Sequence, residues 1–244
     1  MQRLLPNPGP TTVEQQLSGL DLIDLAYNDR PYVVVNFATT LDGRAAMGGR
    51  SGPIGSDTDT EMLQMLRTRV DAVMIGAGTM RAERYGRIVS DPALRARRER
   101  IGLPHDPLAV IVSGRLDLPW DAPLFTDGGG RVLIFTASEA EPPQTKTPVR
   151  VERHEVGVDI AEALRHLREE RGIRALLCEG GPGLHNQLQA TELVDELFLT
   201  IAPKLPGGEE PHILEGDLPR IGLWELAWLL EERSELFARY RRVD

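Results

Sequence analysis

The chain has 244 residues, and its 28 basic and 37 acidic side chains give a formal net charge of −9. Hydrophobic residues make up 41% and charged residues 27%, which is typical of a folded globular protein and argues against extended disorder. The acidic balance argues against a nucleic-acid partner, and no apolar run approaches the roughly 20 residues that cross a membrane. Because the single cysteine, Cys178, cannot form an internal disulfide and the first residues lack a signal-peptide pattern, we expect a cytoplasmic protein.

Histidine and cysteine do not recur at metal-ligand spacing, so the sequence predicts no metal site. A basic cluster at residues 95–100, behind Arg81, Arg84 and Arg87, is interpreted as a solvated helix face. These features favour a small molecule as the ligand of the protein.

Residues 1–30 are mixed in character. Prolines and a glycine between Pro6 and Pro10 are expected to break any early element, and apolar residues at helical spacing then predict a helix over 13–25. We interpret this segment as an N-terminal arm packed on a single domain of residues 31–244, in which no flexible linker and no internal repeat is found.

From Pro31 the pattern changes to predicted strands that alternate with helices. The predicted strands cover 32–38, 71–76, 108–112, 131–136, 174–179 and 195–202, and the predicted helices cover 57–69, 93–100, 160–171 and 184–190. Segments 223–231 and 236–243 flank a turn like the two strands of an antiparallel hairpin. This order predicts an α/β fold with a mixed, mostly parallel central sheet and helices on both faces.

Three predicted strands end in loops rich in glycine and small residues, at 38–43, 76–83 and 179–186. In such sheets ligands bind outside the carboxyl ends of the strands. Small residues before a helix let the backbone approach an anion, so the second and third loops suit a phosphate or pyrophosphate. Neither loop has the spacing of a known dinucleotide or nucleoside-triphosphate motif, so simple tight turns remain the alternative.

Two carboxylates in these loops are candidates for chemistry. Glu179 ends an apolar strand, where a charge is costly without a partner, so it either pairs with an arginine or faces a cleft. Asp42 either shapes its own turn or faces a substrate. No serine or cysteine lies in a nucleophile elbow, which disfavours hydrolysis through an acyl-enzyme.

Several segments resemble one known family when they are taken together. They are Val35-Asn36-Phe37-Ala38-Thr39-Thr40-Leu41-Asp42-Gly43-Arg44, Leu66-Arg67, the run 71–79, Cys178-Glu179-Gly180-Gly181-Pro182 and the run 193–205. Their order and spacing resemble those of the riboflavin-pathway pyrimidine reductases, the RibD C-terminal domain family, over roughly residues 31–240. The His-x-Glu and Pro-Cys-x-x-Cys motifs of the deaminase domain of bifunctional members do not occur in this sequence, so a stand-alone reductase is expected.

The resemblance implies a dihydrofolate-reductase-like fold, NADPH as cofactor and a homodimer. It implies reduction of the ribosyl group of 5-amino-6-(5-phosphoribosylamino)uracil to a ribityl chain in riboflavin biosynthesis. In that reaction the sugar ring opens to an imine, a hydride reaches its C1′ atom, and a proton completes the amine.

The resemblance also assigns residues by position. Together with the glycine loops, it gives as cofactor contacts Ala38, Pro53, Gly76, Gly78, Thr79, Glu83, Gly180, Gly181, Pro182, Gly183 and Leu184, with either Ser113 or Arg115 chosen for the 2′-phosphate on charge and location. The substrate contacts that it implies are Asn36, Ser51, Arg67 and Glu179. Glu179 is preferred over Asp42 for proton handling.

The sequence departs from the family pattern at three places. Asn36 stands where a lysine is common, Pro53 where an aromatic residue is common, and residues 83–90 replace a segment with a phosphate-binding arginine, for which Arg84 or Arg87 could substitute. Two alternatives therefore stay open: a reductase of another heterocycle such as dihydrofolate, and a non-catalytic NADPH-binding protein.

The predicted C-terminal hairpin bears directly on the homodimer. It carries Trp224, Trp228, Leu229 and Phe237. These side chains either bury an apolar face between subunits or cover the core of their own chain.

Overall fold

The computed structural model describes residues 1–243. The strands are β1 (Gln2–Leu5), β2 (Gly9–Pro10), β3 (Tyr32–Thr39), β4 (Ala72–Gly76), β5 (Leu108–Val112), β6 (Val132–Thr136), β7 (Val149–Arg153), β8 (Ala175–Cys178), β9 (Glu196–Ile201), β10 (Leu223–Glu232) and β11 (Glu235–Val243). The helices are α1 (Val13–Leu17), α2 (Asp57–Arg67), α3 (Ala77–Glu83), α4 (Pro92–Arg100), α5 (Pro123–Thr126), α6 (Ile160–Glu169) and α7 (Pro182–Ala190).

All these strands join one sheet, in the order β2-β1-β10-β11-β9-β3-β8-β4-β5-β6-β7. The pairs from β9 to β7 are parallel, and β11, β10, β1 and β2 extend the sheet with antiparallel pairs. The predicted mixed, mostly parallel sheet with a C-terminal hairpin is therefore confirmed.

The central strands are apolar because both faces of the sheet are covered. Every residue of β4 and β6 is buried. One face packs against α2, whose Leu66 lies in the first core cluster, and the other packs against α6 through Leu164 and Leu167. Asp159 caps α6 by accepting hydrogen bonds from the backbone N–H groups of residues 161 and 162.

The N-terminal segment differs from the prediction. The expectation that its prolines break any early element is wrong, because β1 pairs with β10 and β2 pairs with β1. The predicted helix over 13–25 ends at Leu17, the last residue of α1. This segment extends the antiparallel part of the sheet, and the division between residues 1–30 and 31–244 stays a prediction.

Three short elements were not predicted. Strand β7 lies at the outer edge of the sheet, where its charged residues interrupt the apolar pattern of a buried strand. Helix α3 follows β4 directly and was interpreted as a glycine-rich loop, and α5 has only four residues. Length and edge position explain these omissions.

The basic cluster of α4 is only partly solvated. Arg98 is completely buried, and its guanidinium donates to the carbonyl oxygens of Arg67, Val70 and Pro104. Burial lowers the pKa of Arg98 to about 10. The interpretation of a solvated helix face therefore fails at Arg98, which satisfies carbonyl groups after the last turn of α2.

A buried ion pair in the antiparallel part of the sheet provides a stability prediction. Glu196 is fully buried and accepts two hydrogen bonds from Arg239, at 2.8 and 2.6 Å, whereas Arg241 contacts it at 3.3 Å from an exposed position. We expect Arg239→Leu to lower the free energy of unfolding by about 3–5 kcal/mol, because it leaves the Glu196 charge buried without its main partner. Arg241→Leu, the matched control, should cost less than about 1 kcal/mol. Urea unfolding measures both, and equal costs would contradict this assignment.

Candidate active site

A cleft of about 600 Å³ opens at the carboxyl ends of the parallel strands. Its walls are the ends of β3, β4, β5 and β8, the loop over residues 45–52, and the amino-terminal turns of α2, α3 and α7. This volume is in the usual range for small-molecule sites. The position is the one expected for ligands of an α/β sheet.

The loops after β4 and β8 touch each other, and glycine is required where they do. A Cβ atom on Gly76 would lie 3.1 Å from the Gly181 nitrogen, and one on Gly181 would lie 2.8 Å from Thr79 Oγ1. Gly180 has a φ of +89°, and its carbonyl oxygen accepts a hydrogen bond of 2.7 Å from the Gly76 nitrogen. Close packing therefore explains the glycines of both loops, and it brings two helix starts to one wall of the cleft.

The first turn of α7 leaves backbone donors free. Its N-cap residue, Gly181, has no side chain to accept their hydrogen bonds, and residues 181–184 line the cleft. Such N–H groups, together with the helix dipole, bind phosphate groups. This wall therefore suits the pyrophosphate of a dinucleotide.

Glu179, next to this wall, both pairs with an arginine and lines the cleft. Its Oε1 and Oε2 atoms each accept a hydrogen bond of 2.7 Å from Arg67, and Oε2 also accepts one of 2.8 Å from the Tyr85 hydroxyl. Burial, and then the charge of Glu179, raise the pKa of Tyr85 well above its ordinary value, so the hydroxyl stays a donor. Three donors thus hold the Glu179 carboxyl group in place as a hydrogen-bond acceptor that lines the cleft.

Arg67 is buried and, unlike Glu179, is not one of the residues that line the cleft. Besides Glu179, it donates to the Ile88 carbonyl oxygen at 2.8 Å. The predicted contact of Arg67 with substrate is therefore not favoured by the structure, in which it positions Glu179 from behind.

Ser51 and Glu83 both line the cleft, and they bind each other. The nitrogen and Oγ atoms of Ser51 donate to Glu83 Oε1 at 2.6 and 2.9 Å. This contact fastens the loop over 45–52 to α3. The remaining predicted positions at the cleft are Asn36, Ala38, Gly76, Gly78, Thr79, Gly181, Pro182, Gly183 and Leu184.

Besides Arg67, five predicted positions lie outside the cleft lining: Asp42, Pro53, Ser113, Arg115 and Gly180. Asp42 accepts hydrogen bonds from Thr40 Oγ1 and the Gly207 nitrogen, which agrees with a turn-shaping role. The Pro53 carbonyl oxygen accepts from Lys204, and Ser113 is buried. Gly180, like Ser113 and Arg115, is adjacent to lining residues but is not one of them.

Neither proposed substitute for the phosphate-binding arginine reaches the cleft. Arg84 pairs with Asp121 and Arg87 with Asp106, at 2.7 and 2.6 Å. Within residues 1–243, no group of metal-ligating side chains is placed to hold an ion. No helix of that part of the chain has the length and apolarity of a membrane span.

Among the cleft residues that the sequence did not predict, Tyr85 and Asp59 carry polar groups of interest. Tyr85 lies in the segment that departs from the family pattern, and no motif marks it. Asp59 is a polar residue in the first turn of α2, a position that usually only favours a helix start. Only the folded arrangement brings them to the cleft.

The fold is that of the dihydrofolate-reductase-like α/β proteins. A dihydrofolate reductase from Enterococcus faecalis covers 90% of this chain and 99% of its own at a TM-score of 0.51 and 12% identity, which shows the fold alone. The chain belongs to the RibD C-terminal domain family, whose model matches residues 31–230. It is therefore an oxidoreductase by family.

Individual relatives agree with this family. A 2,5-diamino-6-ribosylamino-4(3H)-pyrimidinone 5′-phosphate reductase of Archaeoglobus fulgidus is 32% identical over 77% of this chain and 88% of its own. The riboflavin biosynthesis protein RibD of Bacillus amyloliquefaciens is 31% identical over 77% of this chain and 50% of its own. The crystal structure of a pyrimidine reductase-like protein from Corynebacterium diphtheriae matches at a TM-score of 0.80 and 25% identity, over 96% and 100% of the two chains.

The Arg67–Glu179 pair provides a prediction about the free energy of unfolding. We expect Arg67→Met to lower the free energy of unfolding by about 3–5 kcal/mol, because it leaves the Glu179 charge buried. The double variant with Glu179→Gln should recover most of that loss, since the uncompensated charge is gone. Denaturant unfolding of the three proteins measures the coupling, and additive losses would contradict the structural role of the pair.

Proposed function

We propose that the chain is the NADPH-dependent reductase that converts the ribosyl group of a ribosylaminopyrimidine 5′-phosphate to a ribityl chain in riboflavin biosynthesis. One observation carries the proposal: the Glu179 carboxylate, held by Arg67 and Tyr85, shares one cleft with the open first turn of α7. An acceptor for the amino groups of a pyrimidine and a binding wall for a pyrophosphate are thus adjacent.

The residues of the cleft fit a nicotinamide dinucleotide. The backbone groups of residues 181–184 and Thr79 would hold the pyrophosphate, and Ala38, with its small side chain, would lie beside the nicotinamide. Gly114 lines the cleft between Ser113 and Arg115, which supports these two neighbours as the choice for the 2′-phosphate of NADPH. The bound cofactor supplies the hydride, and the protein orients the substrate and excludes water.

Glu179 is suited to orientation. With three donors already bound, its carboxylate can still accept hydrogen bonds from ring or amino N–H groups of a pyrimidine. This geometry does not favour the preference for Glu179 as the residue that handles a proton, because its oxygens already accept three hydrogen bonds from Arg67 and Tyr85. Asn36, on the same cleft, can donate to and accept from the ribose or its open-chain form.

Two pyrimidines are candidates for the substrate. The resemblance implies 5-amino-6-(5-phosphoribosylamino)uracil, whereas the Archaeoglobus relative carries the name of a reductase of the 2,5-diaminopyrimidinone. The two compounds differ by an oxo or an amino group at C2 of the ring, so one cleft can be tested with both.

The decisive test is oxidation of NADPH by the purified chain, followed optically with each pyrimidine and with dihydrofolate. We expect turnover of at least one pyrimidine, slower turnover with NADH, and a loss of about 10- to 100-fold in kcat/KM for Glu179→Gln, because a charged hydrogen-bond acceptor is lost. Turnover of dihydrofolate alone would favour the other-heterocycle alternative. NADPH binding without turnover of any compound would favour the non-catalytic alternative.

A homodimer in the cytoplasm completes the proposal. Trp228 and Phe237 of the hairpin cover their own core. The other face of β9, β10 and β11 carries cross-strand rows of apolar residues, namely Ile201 with Leu236, Leu199 with Ala238 and Leu229, and Leu197 with Tyr240 and Leu226. All but Ala238 are only half-buried, which supports this face as the contact with a second copy of the chain.

The buried, unpaired Cys178 fits a reducing compartment.

The apolar face of β9, β10 and β11 provides a prediction about the mass of the protein in solution. We expect sedimentation of the wild-type chain to give twice its mass of 27.0 kDa at micromolar concentration, and Leu229→Lys to give the single mass, because a charge is buried at the contact. Ile221→Lys, at an exposed position before β10, should leave the doubled mass unchanged. A wild-type mass near 27 kDa would remove the dimer.

A further inference from the structure

The cleft contains a second carboxyl group, Asp59, to which the proposed function gives no role. Asp59 is the third residue of α2, and its backbone nitrogen donates to Oγ of the N-cap residue Ser56 at 3.3 Å. Its carboxyl group folds against Gly55, where an added Cβ would lie 2.1 Å from Oδ2. Among the ion pairs of residues 1–243, none involves Asp59.

Strand register places Asp59 beside the expected reaction centre. Ala38 of β3 pairs with Thr200 of β9, and residues paired across neighbouring strands share a face of the sheet. Thr200 is a hydrogen-bonding neighbour of Asp59, and both Ala38 and Asp59 line the cleft. Asp59 therefore lies on the side of the cleft at which the nicotinamide is expected.

A second buried carboxyl group lies behind Asp59. Glu235, the first residue of β11, is 4% exposed and accepts a hydrogen bond from Ser56 Oγ. Lys204 is the nearby cation, but its Nζ donates to the carbonyl oxygens of Pro53 and Ile54, each at 2.7 Å. Ser56 thus links two carboxyl groups, of which only Asp59 lines the cleft.

The surroundings favour the neutral form of both groups. Burial raises the pKa of the Asp59 carboxyl group, and a hydrogen bond with Thr200 lowers that pKa by less. Burial likewise raises the pKa of Glu235, and the charge of Asp59 adds to it, while Ser56 and Lys204 lower it. Glu83, Tyr85, Glu179 and Glu215 are the titratable groups that line the cleft with Asp59 on its other elements, and none of them is a cation.

The other candidates for a proton donor are already engaged. Glu179 accepts three hydrogen bonds, and the Tyr85 hydroxyl donates its proton to Glu179. Glu83 accepts two hydrogen bonds from Ser51. Within residues 1–243, Glu215 also lacks a cationic partner, but it is exposed, whereas Asp59 is half-buried on the side of Ala38. Asp59 is therefore the carboxyl group of the cleft that is placed to carry a transferable proton.

Resting on the proposed function, we propose that Asp59 is the general acid of this reductase. When bound, the reduced nicotinamide would supply the hydride for the new C–H bond at C1′ of the open-chain imine, and the electron pair of the C=N bond would move to nitrogen. The proton of Asp59 forms the N–H bond and leaves a carboxylate, which solvent reprotonates. The products are the ribitylamine and the oxidised nicotinamide.

The test compares Asp59→Asn with Asp57→Asn, an exposed aspartate in the same helical turn. We expect Asp59→Asn to slow single-turnover reduction by about 10²- to 10⁴-fold while NADPH affinity, measured by fluorescence, changes less than about twofold. Asp57→Asn should do neither, and Asp59→Glu should recover part of the rate. An acid must be protonated to act, so the wild-type rate should fall as pH rises through the Asp59 pKa, and Asp59→Asn should lose this dependence.

A measurement without substrate keeps this proposal separable from the proposed function. In protein labelled with ¹³C at aspartate carboxyl groups, the resonance missing in Asp59→Asn should titrate at higher pH than the one missing in Asp57→Asn. Titration of the two together, or an undiminished rate in Asp59→Asn, would overturn the role of Asp59. Failure of the wild-type chain to reduce either pyrimidine would instead overturn the proposed function.

Discussion

The pair between Arg67 and Glu179 joins the last residue of α2 to the residue that follows β8, and the shape of the cleft depends on that connection. Two charges buried together are stable only when their hydrogen-bonding groups are satisfied. Here Tyr85 and the Ile88 carbonyl oxygen complete the set, which also fixes the segment after α3. This ion pair thus fixes the positions of α2, the end of β8 and the segment after α3 relative to one another.

Close approach of backbone supplies the wall next to Glu179. β4 and β8 are adjacent parallel strands, with Met74 opposite Cys178, so the loops that leave them begin side by side. Glycine at 76 and 181 lets those loops touch, and the helices that follow start at the same edge. The result is a cleft in which a carboxylate and backbone N–H groups lie next to each other, an arrangement that can orient a ligand carrying both amino groups and phosphates.

Sequence reasoning predicted the parts of this arrangement that depend on local pattern. Strand β5 was predicted with its observed bounds, 108–112, because a continuous apolar run bounded by polar residues is a strong signal. Strand β7 was missed, because an edge strand needs no such run. From the sequence, Glu179 either pairs with an arginine or faces a cleft. Only the fold shows that the same carboxyl group pairs with Arg67 and also lines the cleft.

Long-range contacts account for what the sequence could not predict. Nothing within ten residues of Asp59 indicates Thr200 or Glu235, since both arrive from strands that follow more than 130 residues later. The same holds for Arg67, because a predicted contact with substrate requires a free side chain, whereas Glu179 engages it. Residue type and local spacing identify candidates, but the pairing of buried charges is decided by topology.

The C-terminal hairpin belongs to the site as well as to the core. β11 pairs with β9, so its first residue, Glu235, lies one row from Thr200 and against the N-cap of α2. Trp228 and Phe237 fix this register from the core side. The antiparallel extension, which encloses the end of a parallel sheet, therefore also buries the carboxyl group behind Asp59. Burial of that pair is a property of the folded hairpin, and a change in hairpin register would alter the protonation of the cleft.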